Sequence, residues 1–115
     1  MELLIENVLY IGNDEFYRTE RYKLPLTVIL INTEHKHAFD ILNTNTRQTD
    51  IIQQLSSNLI VVFLTHTNFE NSKKFMQKVE NMFTLTYTAA EYKHASADFV
   101  KELFSQNSDK SNKYS

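Results

Sequence analysis

A run of six consecutive apolar residues, LIVVFL at positions 59–64, constrains the fold more than any other feature of this sequence. Its β-branched and aromatic residues favour an extended strand, and its unbroken apolar character predicts the central strand of a sheet. A second β-branched run at positions 27–31 follows Pro25 and predicts another buried strand. The chain is therefore expected to fold around a sheet that contains both runs.

The remaining elements follow from the spacing of apolar residues and from turn residues. Further strands are predicted over residues 50–55 and 85–89, helices over 34–47, 69–82 and from Ser96 onward, and a turn at 56–58. A capping box at residues 67–70 is expected to begin the second helix. Asn13 is expected to cap an earlier helix over residues 13–22, whereas residues 3–11 fit either a strand or a helix.

From residue 26 to residue 90 the predicted order is strand, helix, strand, strand, helix, strand. This order predicts an α+β, ferredoxin-like fold with an antiparallel sheet and helices on one face. One extra helix precedes it and another follows it, and the second face of the sheet is expected to stay open. We expect a single domain over residues 1–104 and a disordered polar tail over residues 105–115.

Composition excludes several classes of function. The net charge of −2 predicts no general attraction to nucleic acid. The absence of cysteine excludes disulfides, thiolate metal sites and cysteine nucleophiles, and it suits a cytoplasmic protein. No apolar run has the length that a bilayer span requires, so we expect no membrane insertion. Residues 1–11 carry Glu2 and Glu6 without a basic segment, so no signal peptide is expected.

Three stretches resemble the GGDEF family of diguanylate cyclases in their order and spacing. Residues 16–31 (FYRTERYKLPLTVILI) resemble the family's lead-in helix and first strand, with an aromatic residue, a basic residue and Pro-Leu before the strand. Residues 47–52 (RQTDII) resemble the RxxD segment that leads into the family's signature hairpin. Residues 59–67 (LIVVFLTHT) resemble the strand that follows the signature. The resemblance covers residues 13–104 and implies a cytoplasmic module of bacterial signalling.

The family's catalytic signature is missing from this chain. Counting on from Arg47, the Gly-Gly-Asp-Glu-Phe positions fall on the segment Ser56-Ser57-Asn58-Leu59-Ile60. In the family the two glycines let the backbone approach the substrate, and an acidic residue there helps to hold Mg²⁺. Serines replace both glycines here, and both acids are gone. The resemblance therefore implies a degenerate turn, no catalytic residue and no bound metal.

Two other features of active members are also missing. The family's second metal-binding Asp ends the first strand, where this chain has the neutral Asn32, with Glu34 two residues further on. The stretch between the first strand and Arg47 is shorter than in active members, and the family's guanine contacts lie in that stretch. The run GNDEF at residues 12–16 is close to the signature, but it precedes the first strand and is interpreted as a chance match.

Arg47 and Asp50 match the family's product-inhibition site, so the resemblance implies that they bind cyclic di-GMP. An arginine offers two parallel donors to phosphate or guanine, and a carboxylate accepts hydrogen bonds from guanine. The competing interpretation is a helix-end cap or a surface ion pair.

The leading hypothesis is accordingly a catalytically inactive regulatory module that binds a partner protein, or cyclic di-GMP at Arg47 and Asp50. A ligand-free interaction or dimerisation domain is the alternative. A third hypothesis, a residual metal-dependent nucleotide enzyme, requires Glu34 to share a metal with Asp50 or Glu70.

Overall fold

The computed structural model describes residues 1–112, with side chains up to residue 108. In this part of the chain four helices and four strands follow one another in the predicted order. The helices are α1 (Glu2–Tyr22), α2 (Ala38–Asn45), α3 (Phe69–Glu80) and α4 (Ser96–Asn112). The strands are β1 (Leu26–Asn32), β2 (Ile51–Ser56), β3 (Leu59–Thr65) and β4 (Thr86–Glu91).

The strands form one antiparallel sheet in the order β2-β3-β1-β4. The two apolar runs pair in the middle of this sheet, with Leu26 opposite Thr65 at one end and Asn32 opposite Leu59 at the other. All seven residues of β3 are buried, as the unbroken apolar run predicts. The α+β, ferredoxin-like fold predicted from the sequence is confirmed.

Helices cover both faces of the sheet. Side chains of β1 alternate between two apolar clusters, because successive residues of a strand point to opposite faces. Ile29 and Ile31 pack with residues of α2 and α3, whereas Val28 and Leu30 pack with residues of α1 and α4. The expectation of an open sheet face is wrong, because the two extra helices contribute apolar side chains such as Phe16 that cover it.

The first helix is continuous from Glu2 to Tyr22, which settles the choice that the sequence left open for residues 3–11. Asn13 lies inside this helix and does not cap it. Gly12 faces the ring of Phe63 so closely that a Cβ atom at this position would overlap the ring. The run GNDEF therefore belongs to a helix that needs its glycine for close packing, in agreement with its interpretation as a chance match.

The disorder predicted from residue 105 is wrong for the described residues, since α4 continues to Asn112. Asn107 extends the buried face of Leu103 and Phe104 by one further turn, and it is only 5% exposed. Residues 113–115 of the predicted tail lie outside the described residues. The start of α3 also differs, because Asn68 caps it by accepting a hydrogen bond of 2.8 Å from the N–H of Asn71.

Candidate functional site

The end of β1 is the place where the resemblance puts a catalytic centre. The register of β1 and β3 sets Asn32 opposite Leu59, so Asn32 and the turn before β3 lie at the same end of the sheet. A cleft of about 590 Å³ opens there, between the end of β1, the turn and the start of β4. Among the described residues that line the cleft, Glu34 is the only carboxylate.

Asn32 is joined to Asn107 of α4 by two hydrogen bonds. Its Nδ2 donates to Oδ1 of Asn107 at 2.7 Å, and Nδ2 of Asn107 donates back to Oδ1 of Asn32 at 3.2 Å. The hydroxyl of Thr88 donates to Oδ1 of Asn107 at 3.2 Å. Both amides are thus engaged with the protein, and a neutral amide replaces the carboxylate that a hard dication prefers.

The degenerate turn is built without the conformations that require glycine. Residues 57 and 58 form the turn, and Ser56 pairs with Leu59 across it after a shift in register between Gln54 and Ser56. None of these residues is among those with positive φ. The hydroxyl of Ser56 donates to Oδ1 of Asn58 at 3.1 Å, and Nε2 of Gln54 donates to the Ser56 carbonyl at 2.5 Å. The serines are therefore compatible with this hairpin.

Carboxylates do not converge in the described part of the chain, where no group of three or more His, Asp or Glu side chains has the spacing of a metal site. Asp50 contacts Thr65, which lies opposite Leu26 at the start of β1, whereas Glu34 follows the end of β1. Six residue steps of about 3.3 Å separate these ends by roughly 20 Å. Metals in paired sites are only about 4 Å apart, so Glu34 and Asp50 do not share one.

Glu70 lies at the same end of the sheet as Asp50. It is in the first turn of α3, where the neighbouring N–H of Phe69 donates to Oε1 of Glu91 at 2.9 Å. Glu91 pairs with Thr27 near the start of β1. Glu34 is therefore too far from both Asp50 and Glu70 to share a metal ion with either, as the third hypothesis requires.

Asp50 is almost completely buried, with 2% of its side chain exposed, and its two carboxylate oxygens accept several hydrogen bonds. Oδ2 accepts from the backbone N–H of Arg47 at 2.9 Å and from its Nε at 3.3 Å. Oδ1 accepts from the backbone N–H of Thr65 at 3.1 Å, from the Thr65 hydroxyl at 3.3 Å and from Nη2 of Arg47 at 3.2 Å. The carboxylate thus closes the turn before β2 and fastens it to the end of β3.

Arg47 is engaged on one side and exposed on the other. Its Nη2 also donates to the Thr65 carbonyl and, at 2.7 Å, to the Thr67 hydroxyl, while 56% of its side chain is exposed. The structure therefore brings the predicted pair together, with Asp50 buried in the turn and one edge of Arg47 accessible to solvent. Guanine binding to Asp50 would require that it give up hydrogen bonds to the protein. The assignment of Arg47 and Asp50 to cyclic di-GMP stays a prediction.

Three polar partners in these networks have no signal in the sequence. Asn107 lies 75 residues from Asn32 and falls in a segment that composition alone marks as tail. Thr65 and Thr67 lie 15 to 20 residues from the RxxD pair. Thr65 and Thr67 meet the RxxD pair because the strand register places β2 beside β3, and Asn107 meets Asn32 because α4 reaches the end of β1.

Comparison with known proteins finds similar solved structures but no match from sequence. No family model matches the chain, and no curated protein matches it. The fold is similar to the crystal structure of a DGC protein from Thermotoga maritima, with 13% sequence identity, a TM-score of 0.60 and coverage of 88% of each chain. At this identity the likeness shows the fold alone, which is consistent with a GGDEF-like domain.

The helices carry no membrane signature. Over the described residues, none of them combines the length and the apolar character needed to cross a bilayer.

Proposed function

We propose that this chain is a catalytically inactive regulatory module of bacterial cytoplasmic signalling, with a GGDEF-like fold, which acts by binding another protein. The observation that carries the proposal is the pair of hydrogen bonds between Asn32 and Asn107. In the family that the sequence resembles, an Asp at the end of the first strand helps to hold Mg²⁺. An amide pair at this position supports a structural use of the strand end.

The cleft beside Asn32 supports the same proposal. Two-metal phosphoryl transfer needs several carboxylates to hold two ions about 4 Å apart. Among the described residues, Glu34 is the one carboxylate that lines this cleft. In the turn, the hydroxyl of Ser56 donates to Oδ1 of Asn58, and neither residue supplies a carboxylate for a metal ion. Loss of the acids at both sides of the cleft favours binding without turnover.

A cyclase assay tests the inactive part of this proposal. Purified protein is incubated with GTP and Mg²⁺ or Mn²⁺, and the products are separated by chromatography beside those of an active diguanylate cyclase. We expect no cyclic di-GMP and no pyrophosphate. Metal-dependent conversion of GTP by the wild type, lost in Glu34→Gln, would show instead that the single carboxylate supports catalysis.

Cyclic di-GMP is a second candidate ligand, favoured by the half-exposed guanidinium of Arg47. Titration calorimetry with wild type, Arg47→Ala and the matched surface variant Arg18→Ala tests for this ligand. Arg18 is a suitable control because its side chain is 57% exposed. Binding that persists in Arg18→Ala and disappears in Arg47→Ala supports a ligand site. No heat with the wild type rejects it and leaves protein binding as the function of the module.

A further inference from the structure

The solvent face of α1 carries a row of large apolar side chains. Leu3, Tyr10 and Tyr17 are 75%, 86% and 58% exposed. They are seven residues apart, and seven residues of an α-helix fall only about 20° short of two full turns. They therefore lie in one line along the helix, which we name the α1 stripe.

The α1 stripe is distinct from the face that holds α1 on the domain. The buried residues of the helix are Val8, Gly12, Phe16 and Thr19, which lie on the opposite side. A helix packed on a core needs one apolar face, with polar residues on the other. A second apolar line exposed to water marks a contact surface.

We propose that the α1 stripe binds the α1 stripe of a second copy of this chain, with the two helices antiparallel. The stripe is symmetric about Tyr10, because Leu3 and Tyr17 lie seven residues to either side of it. A two-fold axis beside Tyr10 sets Tyr10 against its equivalent and Leu3 against the Tyr17 of the other copy. Each large apolar side chain then meets another.

The charges of α1 favour the antiparallel orientation. Glu2 and Glu6 give residues 1–7 two negative side chains. In residues 17–23, Arg18, Arg21 and Lys23 outnumber Glu20 by two. Parallel helices would bring like charges together at both ends, whereas antiparallel helices bring the acidic end of each copy to the basic end of the other.

Arg18 and Arg21 differ in how available they are to a second copy, because among the described residues only Arg18 already has an acidic partner. Arg21 lies in line with the stripe, and its Nη1 donates to the hydroxyl of Tyr17 at 2.8 Å. Its guanidinium also lies 5.6 Å from the centre of the Tyr22 ring, and neither contact neutralises its charge. Arg18 is already paired with Glu15 at 2.5 Å. Arg21 is therefore the cation best placed to meet the acidic end of a second α1.

The size of the contact predicts a weak, reversible dimer. A tyrosine buries about 150–250 Å² when it is fully covered, so four tyrosines and two leucines give roughly 1,000 Å². Specific interfaces start near this area. We therefore expect a monomer–dimer equilibrium that depends on protein concentration.

Sedimentation velocity over a range of concentrations tests the dimer. We expect the wild type to shift toward a dimer at high concentration and Tyr10→Glu, at the centre of the stripe, to weaken dimerisation by about 30-fold or more. Met82→Glu is the matched control, because Met82 is a 41% exposed apolar residue outside α1. A wild type that stays monomeric, or a Tyr10→Glu variant that dimerises like the wild type, overturns the proposal.

Disulfide trapping tests the orientation, since the chain has no cysteine of its own. Leu3→Cys and Tyr17→Cys variants are oxidised separately and as a mixture. An antiparallel pair gives mainly the mixed disulfide, whereas homodisulfides from each variant alone show a parallel pair and contradict the proposal. This inference rests on the proposed function, since it names a second copy of the chain as the protein partner. The cyclase assay does not depend on the dimer, so the dimer and the absence of cyclase activity can be refuted separately.

Discussion

Replacing Asp50 by alanine tests whether the RxxD pair has a structural role. The substitution removes the acceptor of two backbone donors, the N–H groups of Arg47 and Thr65, and of the Thr65 hydroxyl. Thr65 is only 4% exposed, so water has little access to its N–H once the carboxylate is gone. The turn before β2 would lose its attachment to the end of β3.

The expected cost follows from those unsatisfied groups. A buried donor left without an acceptor costs about 1–3 kcal/mol, and the exposed position of Arg47 lets water replace part of its loss. We expect Asp50→Ala to lower the free energy of unfolding by about 3 kcal/mol. Arg47→Ala should cost about 1 kcal/mol, because 56% of its side chain is exposed and surface ion pairs contribute little.

Urea unfolding followed by circular dichroism measures both values, with Asp40→Ala as a control at an exposed acid of α2. The control should change stability by less than about 1 kcal/mol. The reasoning is refuted if Asp50→Ala costs less than Arg47→Ala, since the pair would then depend on the exposed arginine. In that case Asp50 would be available to a ligand, and the cyclic di-GMP hypothesis would gain support.

Three further substitutions have predicted outcomes. Gly12→Ala should lower the free energy of unfolding by about 1–2 kcal/mol in urea, because overlap with Phe63 costs more than the roughly 1 kcal/mol gained in helix propensity; equal or higher stability would contradict this. Asn107→Ala should cost about 1–3 kcal/mol by leaving the Asn32 amide unpaired, and a double-mutant cycle with Asn32→Ala should show coupling between the two. Bonds from Lys93 and from the Phe69 N–H hold the pKa of Glu91 below its ordinary value of 4.5, so its stabilising contribution is present above that pH and is lost as the pH falls through the lower, folded-state pKa. Glu91→Gln should therefore be less stable than wild type at neutral pH and should approach it in acid, as thermal unfolding across pH will show.

The sheet could be predicted because its central strands are unbroken apolar runs. Residues 59–64 and 27–31 are buried on both faces of the sheet. Their sequence therefore shows no helical spacing of apolar and polar residues that could be interpreted as an amphipathic helix instead. Residues 3–11 could not be assigned, and the structure gives the reason. Leu3 and Tyr10 add apolar residues on the exposed side of α1, which obscures the pattern expected of a helix with one buried face.

The partners in the site could not be predicted, because polar side chains have no periodic signal. Asn107 is surrounded in sequence by polar residues, and its burial depends on the last turns of α4 crossing the end of β1. The RxxD spacing singles out Asp50 in the sequence, but its burial depends on β3 lying beside β2. Spacing within the sequence can single out a residue such as Asp50, whereas hydrogen-bond partners are set by the strand register and by the path of α4.

Both ends of the central strands are closed by hydrogen bonds within the chain. At one end Asn32 bonds to Asn107, and at the other Asp50 bonds to Arg47 and Thr65. A ligand at either end must first compete with these bonds, and each broken buried bond costs free energy that the ligand has to restore. The side chains of the α1 stripe are already exposed to water, and the hydrogen bond from Arg21 to the Tyr17 hydroxyl is itself exposed. The proposed contact through the outer surface of α1 therefore has to displace fewer hydrogen bonds of the protein than binding at the ends of the sheet.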